Sequence, residues 1–216
     1  MAATSPADFV DGVLAPLEPL AVAVGADFTF GARGAGTTAT LADLSAGRFE
    51  VLTSPIVAVD GRAVSSSAIR RLLLDGRAGP AAHLLGRDFA VRGEVVHGDQ
   101  RGRQLGFPTA NLLPDRSLVT PADGVYAGWL RRLDVPGSGA WPAAVSVGDN
   151  PTFGSSRRVE AYVLPPAGDG IDLYGAEVEI GFHQWLRGMV VFEGVAELIA
   201  QMTRDVAEVS QIMRLA

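Results

Sequence analysis

Residues 96–112 read VHGDQRGRQLGFPTANL, and this segment decides most of what the sequence says about fold and chemistry. Its glycines allow backbone N–H groups to approach an anion closely, while Arg101 and Arg103 add positive charge. Thr109 and Asn111 have the i, i+2 spacing that places both side chains on one face of an extended segment. Because hard cations prefer oxygen ligands, the combination favours a site for a nucleotide with Mg²⁺. The alternative is a mobile surface loop between two strands.

Composition narrows the class of protein. The chain has 216 residues, enough for one large domain or two small ones, and 48% of them are hydrophobic. The net charge of −6, spread along the chain, argues against a general nucleic-acid or membrane-surface binder. With no cysteine, disulfides and thiolate metal sites are excluded. All 18 basic residues are arginine, so a P-loop with its lysine is excluded as well.

The first residues lack the basic start and apolar stretch of a secretory signal. No apolar run approaches the ~18 residues that a membrane-spanning helix needs. These observations predict a cytoplasmic protein with small-molecule partners and no membrane or nucleic-acid partner.

Hydrophobic periodicity divides the chain near residue 86. Before it the pattern is α/β, with Ser5 and residues 65–67 as helix caps. After it the pattern is mostly β and suggests a small closed barrel, followed by an amphipathic helix whose apolar face packs on that barrel. The predicted helices of the first region are 7–14, 41–44, one after residue 67, and 80–85; its strands are 20–24 and 49–54. The predicted elements of the second region are strands 89–97, 124–133, 141–147, 158–164 and 177–183 and a helix over 195–213.

The second region resembles the riboflavin kinase domain of bacterial bifunctional riboflavin kinase/FAD synthetases. The motifs that carry this resemblance occur in the family's order: GEVVHG (93–98), PTAN (108–111), GVYA (124–127), NPTFG (150–154), VEAYVL (159–164), DLYG (172–175) and LR (186–187). The resemblance implies an α+β chain. Residues 86–216 would form a small antiparallel Greek-key β-barrel with a C-terminal helix, and residues 1–85 a partial α/β nucleotidyltransferase-like remnant.

Residues 1–85 are similar to the later part of the family's FAD synthetase domain. The matching segments are residues 5–10, VGADFTFG (24–31) and VSSSAIR (64–70). The family's Gly-x-Phe-Asp-Gly-x-His-x-Gly-His nucleotide motif does not occur anywhere in the chain. Adenylyl transfer needs groups that hold the ATP phosphates, so we expect no FAD synthetase activity. The remnant is expected to cap the barrel or to serve as a surface for oligomerisation.

The resemblance implies transfer of the γ-phosphate of ATP to riboflavin, giving FMN, with Mg²⁺ bound by Thr109 and Asn111. Glu160 matches the family's catalytic glutamate and would act as the base, although by pattern alone it could be an ordinary solvated strand residue. Arg187 and Phe192 would contact the flavin. The residues expected to bind ATP and its phosphates are His97, Gly98, Arg101, Gly102, Arg103, Gly106, Pro108 and Thr109.

Two departures from the family pattern keep alternatives open. Pro165-Pro166 and Val190-Val191 stand where charged residues are common, both near the expected flavin side. They allow a kinase that acts on a modified flavin, or a flavin-binding paralogue without turnover. Retention of Thr109, Asn111 and Glu160 favours an enzyme, since a pure binder needs neither metal ligands nor a base.

Overall fold

The computed structural model describes residues 4–98, 101–114, 118–149, 157–165, 167–168 and 171–214, with the backbone alone at Arg101 and Asp149. The chain divides into two compact units, Met1–Val64 and Ser65–Ala216. Among the described residues, no helix is long and apolar enough to cross a membrane.

The first unit contains a small βαβ arrangement with one parallel strand pair. Strands β1 and β4 pair in parallel, and helix α2 lies between them in sequence. Four buried side chains form its core: Val10, Phe30, Leu41 and Phe49. The elements of this unit are helix α1 (Pro6–Phe9), which continues as a π turn (Val10–Leu14) and a 3-10 turn (Ala15–Leu17), strands β1 (Ala21–Gly25), β2 (Thr29–Phe30) and β3 (Gly36–Thr37), helix α2 (Thr38–Ser45) and strands β4 (Glu50–Ser54), β5 (Ala58–Val59) and β6 (Arg62–Ala63).

The predicted helix caps are confirmed. The Ser5 hydroxyl accepts a hydrogen bond from the Asp8 N–H at 3.1 Å, with Pro6 in the first turn. The Ser65 hydroxyl accepts one from the Ala68 N–H at 3.2 Å and begins the first helix of the second unit. Such caps are local, so sequence alone can place them.

The second unit is a closed barrel of six strands with helices around it. Strands β9, β10 and β11 follow one another as antiparallel neighbours, and β12 returns to pair with β9. This is the Greek-key connection, and the predicted fold class is confirmed. The elements are helices α3 (Ser66–Leu74) and α4 (Ala78–Leu85), strand β7 (Phe89–Val96), helix α5 (Arg101–Gln104), strands β8 (Ala110–Leu112), β9 (Gly124–Arg132), β10 (Ala140–Asp149), β11 (Arg157–Val163) and β12 (Glu177–Arg187), and helix α6 (Val195–Ile212).

The compact units divide earlier than the predicted boundary between residues 85 and 86. Helices α3 and α4 belong to the barrel unit, where Ala78 of α4 is buried in the barrel's core cluster. The change in periodicity at residue 86 reflects the change from helix to strand. The helices before residue 86 nevertheless pack in the same unit as the strands after it. The family boundary at 85/86 stays a prediction.

Alternation along the strands separates two faces of the barrel wall. On β11, Val159, Ala161 and Val163 are buried in the barrel core, while Glu160 and Tyr162 lie on the opposite face. Helix α6 packs on this outer face, and the following core cluster joins the two: Ala127, Ala144, Leu164, Val206 and Val209. The outer face of β9, β10 and β11 is therefore covered by α6, as the amphipathic pattern predicted.

A charged cluster also ties strands together on the outer face. Glu179 of β12 is buried and accepts hydrogen bonds from Arg92 of β7, at 2.9 Å, and from Arg131 of β9. Burial by itself would raise the pKa of Glu179, but the two arginines hold that pKa below its usual value. The carboxylate therefore stays charged and links three neighbouring strands.

The close approach of β9 and β12 generates a test of the barrel. A Cβ on Gly128 would lie 2.1 Å from the Gly181 carbonyl oxygen. Because that obstacle is backbone, we expect Gly128→Ala to lower the free energy of unfolding by about 3 kcal/mol in urea denaturation. The control is Gly139→Ala, where a Cβ meets nothing within 4 Å and a change of about 0.5 kcal/mol at most is expected. Equal midpoints of urea unfolding for the two variants would contradict the described pairing of β9 with β12.

Candidate functional site

One row of paired residues crosses five strands of the barrel wall. Arg187 of β12 pairs with Val125 of β9, and Val125 pairs with Ser146 of β10. Ser146 pairs with Glu160 of β11, and Glu160 pairs with Asn111 of β8. Residues directly opposite across an antiparallel pair point to the same face of a sheet. The register therefore brings together side chains that are separated by up to 76 residues in sequence (187 − 111).

This row lies on the outer face of the wall. Its neighbours along β10 and β11, Val145, Val159 and Ala161, are the ones that fill the barrel core. Glu160 shares this outer face, opposite Ser146. Period-two alternation defines two faces of a strand but does not say which of them fills the core.

Thr109, Asn111 and Glu160 form a hydrogen-bonded chain. The Asn111 amide donates to the Thr109 hydroxyl at 3.2 Å, and that hydroxyl donates to the Glu160 carboxylate over a long 3.4 Å. The predicted placement of Thr109 and Asn111 on one face is thus confirmed. A carboxylate, a hydroxyl and a side-chain amide are thus linked where the glycine-rich segment enters β8.

The amide oxygen of Asn111 is left unpaired. Asn111 is buried, and its Oδ1 has no hydrogen-bond partner among the described residues. Leaving a buried acceptor unsatisfied costs about 1–3 kcal/mol, so this oxygen marks a place for a ligand. A Cβ on Gly98 would lie 2.5 Å from it, so only glycine at position 98 leaves this oxygen its space.

The donor set fits Mg²⁺. Thr109 and Asn111 supply neutral oxygens, and Mg²⁺ commonly takes few protein ligands and completes its shell with phosphate and water. The described part of the chain holds no group of three or more His, Cys, Asp or Glu side chains placed to bind a metal ion. The residues present therefore suit a metal that arrives with a phosphorylated substrate.

The glycine-rich segment folds tightly over this point. It contains the short helix α5, where the glycine pattern predicts a loop, and the Phe107 N–H donates to the Gly102 carbonyl at 2.8 Å. A Cβ on Gly102 would lie 2.4 Å from the Phe107 carbonyl oxygen, so the turn needs glycine there. The Phe107 ring meets Tyr162 of β11 edge-on at 5.3 Å, which attaches the segment to the outer face.

A polar cavity opens beside β8. This strand has three residues, and β11 continues past it to Val163, which leaves the wall open there. Tyr174 lies at this cavity, with the His97 ring stacked on it at 4.0 Å and the Arg103 guanidinium 5.8 Å from its centroid. Its lining includes Gly98, Arg103, Pro108, Thr109, Asn111, Asp172 and Tyr174.

An apolar cavity of about 300 Å³ lies on the other side of Thr109. It is bounded by the outer face of β9–β11, helix α6 and the segment that joins β12 to α6. Most of its wall is apolar, whereas Glu160, Arg187 and Asp205 supply charge. Its lining includes Thr109, Glu160, Tyr162, Arg187, Met189 and Phe192.

Thr109 lines both cavities, so the polar one and the apolar one meet at this residue. Glu160 lies on the apolar side of the junction and Asn111 on the polar side. The arrangement can hold a charged ligand and an apolar ligand with their reactive ends together, next to a carboxylate that can accept a proton.

Most predicted site residues gather at these cavities. His97 does so through Tyr174, and Gly102 lines the apolar cavity rather than the polar one. Gly106 takes a positive φ of 87° in an exposed turn and lines neither cavity. The side chain of Arg101 and the NPTFG motif (150–154) lie outside the described residues.

Two further residues at the cavities, Tyr174 and Asp205, are not among the predicted site residues. Tyr174 lies in the DLYG motif (172–175), one of the motifs that carry the family resemblance. Asp205 is buried in α6 on the same face as Met202 and Val209, and a carboxylate at a core position of an amphipathic helix was the available signal.

Two family models match this chain, one over each part of it. A family model described as riboflavin kinase (Flavokinase) matches residues 85–213, and one described as FAD synthetase matches residues 1–68. The bifunctional riboflavin kinase/FMN adenylyltransferase of Listeria monocytogenes is 37% identical over 203 residues, covering 93% of this chain and 62% of that protein. The protein of the same name from Bacillus subtilis is 33% identical and covers 96% of this chain and 65% of that protein. The chain thus spans less than two thirds of the length of these relatives.

A crystal structure from Streptococcus pneumoniae, described as a macrolide-efflux protein, superposes with a TM-score of 0.74 at 32% sequence identity. It covers 94% of this chain and 64% of that one. The same fold is therefore found in an experimental structure.

The unpaired Asn111 oxygen generates a binding test that requires no turnover. We expect Mg²⁺ with ADP at about 100 times the dissociation constant to raise the melting temperature by about 5 °C or more. Asn111→Ala should lose most of this shift, whereas Gln184→Ala, which removes an exposed amide from β12, should keep it. Equal shifts in both variants would show that Asn111 does not contact the ligand.

Proposed function

Because this chain belongs to the riboflavin kinase family, we propose that it transfers the γ-phosphate of ATP to the 5′-hydroxyl of riboflavin. The products are FMN and ADP. The observation that carries the proposal is the junction at Thr109, where a polar cavity and an apolar cavity meet beside Glu160. Such a junction is what phosphoryl transfer between a nucleotide and a flavin requires.

In the proposed step, the ribityl 5′-oxygen attacks the γ-phosphorus, and the bond between that phosphorus and the bridging oxygen of ADP breaks. Glu160 accepts the hydroxyl proton, since its carboxylate lies in the apolar cavity 3.4 Å from the Thr109 hydroxyl. Catalysis of this reaction depends chiefly on position and charge.

On the nucleotide side, the fold of the glycine-rich segment supports contact with the phosphates. Gly98, Pro108 and Arg103 line the polar cavity, and Arg103 supplies positive charge there. Thr109 and Asn111 would hold Mg²⁺, which neutralises phosphate charge when bound. His97 and Tyr174 form a stacked aromatic pair at the same cavity and could receive a planar base. Contacts from Arg101, Gly102 and Gly106 to the phosphates stay predictions.

On the flavin side, Arg187 and Phe192 line the apolar cavity together with Met189 and Val190. An isoalloxazine ring suits this apolar lining with its few polar groups. Val190 borders the ligand space directly, so a modified flavin remains a second substrate to be tested.

We further propose that the chain makes no FAD, because the nucleotide motif of the adenylyltransferase is missing from its sequence. Self-association through residues 1–85 and a cytoplasmic location also stay predictions.

The test of this function is product analysis. Purified protein with riboflavin, ATP and Mg²⁺ should yield FMN and no FAD by chromatography. FAD in the products would contradict the proposed loss of adenylyl transfer. Tight flavin binding without FMN would instead favour a binding paralogue.

The role of Glu160 can be tested separately. Glu160→Gln keeps the shape of the side chain and removes the base, so kcat should fall about 100-fold or more with little change in either KM. Glu177→Gln, an exposed carboxylate at the start of β12, is the matched control and should keep full turnover. Unchanged kcat in Glu160→Gln would mean that another group accepts the proton.

A further inference from the structure

The apolar cavity contains an ion pair that the proposed reaction does not use. Asp205, in the middle of α6, and Arg187, at the end of β12, both line this cavity. Arg187 Nε donates to the Asp205 carboxylate at 3.0 and 3.2 Å, and Nη2 donates to it at 2.6 Å. In this bidentate geometry the carboxylate holds the guanidinium group in one orientation.

The pair is built into the wall. Asp205 is only 5% exposed, and its Oδ1 also accepts a hydrogen bond from the Gln201 amide at 2.8 Å. Arg187 Nη1 donates to the Gly188 carbonyl at 3.0 Å, at the start of the segment that carries Met189 and Phe192. The two side chains therefore join α6, β12 and the linking segment around one cavity.

Arg187 keeps hydrogen-bond donors that a ligand in the apolar cavity can use. Counting partners among the described residues only, Nε–H and one N–H each on Nη1 and Nη2 are engaged, which leaves two of the five N–H groups and the guanidinium faces. The Asp205 charge cancels that of Arg187, so the cavity presents a rigid, planar, formally neutral pair. A neutral aromatic ring suits such a surface, whereas an unpaired arginine would favour an anion.

We infer that Asp205 is a positioning residue for flavin binding, which acts by fixing the plane of Arg187 and cancelling its charge. The inference rests on the proposed function, since it takes a flavin ring as the occupant of the apolar cavity. Among the described residues, Asp205 makes no contact with a residue of the polar cavity. We therefore expect a change at Asp205 to alter flavin binding and not nucleotide binding.

The test measures riboflavin binding by quenching of flavin fluorescence, without ATP. Asp205→Asn keeps the shape and removes the charge, and we expect the dissociation constant of riboflavin to rise about tenfold while KM for ATP stays within about twofold. Glu208→Gln makes the same change at an exposed position of α6 and should bind riboflavin like the wild type. Equal affinities of the Asp205 and Glu208 variants would overturn the inference.

A double variant separates positioning from a general loss of structure. If Asp205 acts through Arg187, adding Asp205→Asn to the Arg187→Met variant should raise the dissociation constant of riboflavin by less than about twofold more. Effects that multiply would mean that Asp205 works independently of Arg187. Arg187→Lys keeps the charge without the planar fork and should weaken riboflavin binding as much as Asp205→Asn. The Arg187→Lys variant can replace Asp205→Asn if the latter fails to fold. Wild-type affinity for riboflavin in Arg187→Lys would by itself show that a fixed guanidinium plane is not needed.

The readout distinguishes this inference from the proposed function. A wild-type protein that binds riboflavin but makes no FMN would end the kinase proposal, while the variant affinities would still decide the role of Asp205. Wild-type turnover with unchanged riboflavin affinity in Asp205→Asn would end the positioning role and leave the kinase proposal standing.

Discussion

Antiparallel register in the closed barrel is the constraint on which the rest of this structure depends. Because paired residues share a face, the ladder from β12 to β8 places Arg187, Ser146, Glu160 and Asn111 in one row on the outer wall. A slip of one residue in any of these pairings would turn its side chain into the core. Core packing and site geometry are thus enforced by the same hydrogen bonds.

The two cavities result from the elements that border the barrel wall. The short strand β8 leaves the polar cavity open beside Tyr174, and α6 with its linking segment covers the apolar one. The glycine-rich segment joins them, held to the wall by the contact of Phe107 with Tyr162. An unpaired buried oxygen on Asn111 and a buried ion pair at Asp205 show where polar groups were kept inside apolar surroundings.

Sequence alone predicted what is local. The caps at Ser5 and Ser65, five of the six barrel strands and α6 depend on neighbours within a few residues, whereas strand β8 was not predicted. The family motifs located the glycine-rich segment. It did not predict what depends on distant pairing. The face that carries Glu160 is decided by which side of the wall the core fills, and Asp205 acquires meaning only when α6 brings it to Arg187. The unit boundary at residue 64 is likewise a property of packing that periodicity does not record.

Thr109 borders both ligand spaces, and this has a consequence for how the protein can change. Under the proposed function, a mutation of Thr109 would alter the nucleotide site and the flavin site at once, so selection for a new nucleotide could not act at this position without disturbing the flavin site. Val190 and Tyr174 each border one space only. Evolution or engineering of altered specificity should therefore proceed through such peripheral positions, with residue 109 held constant.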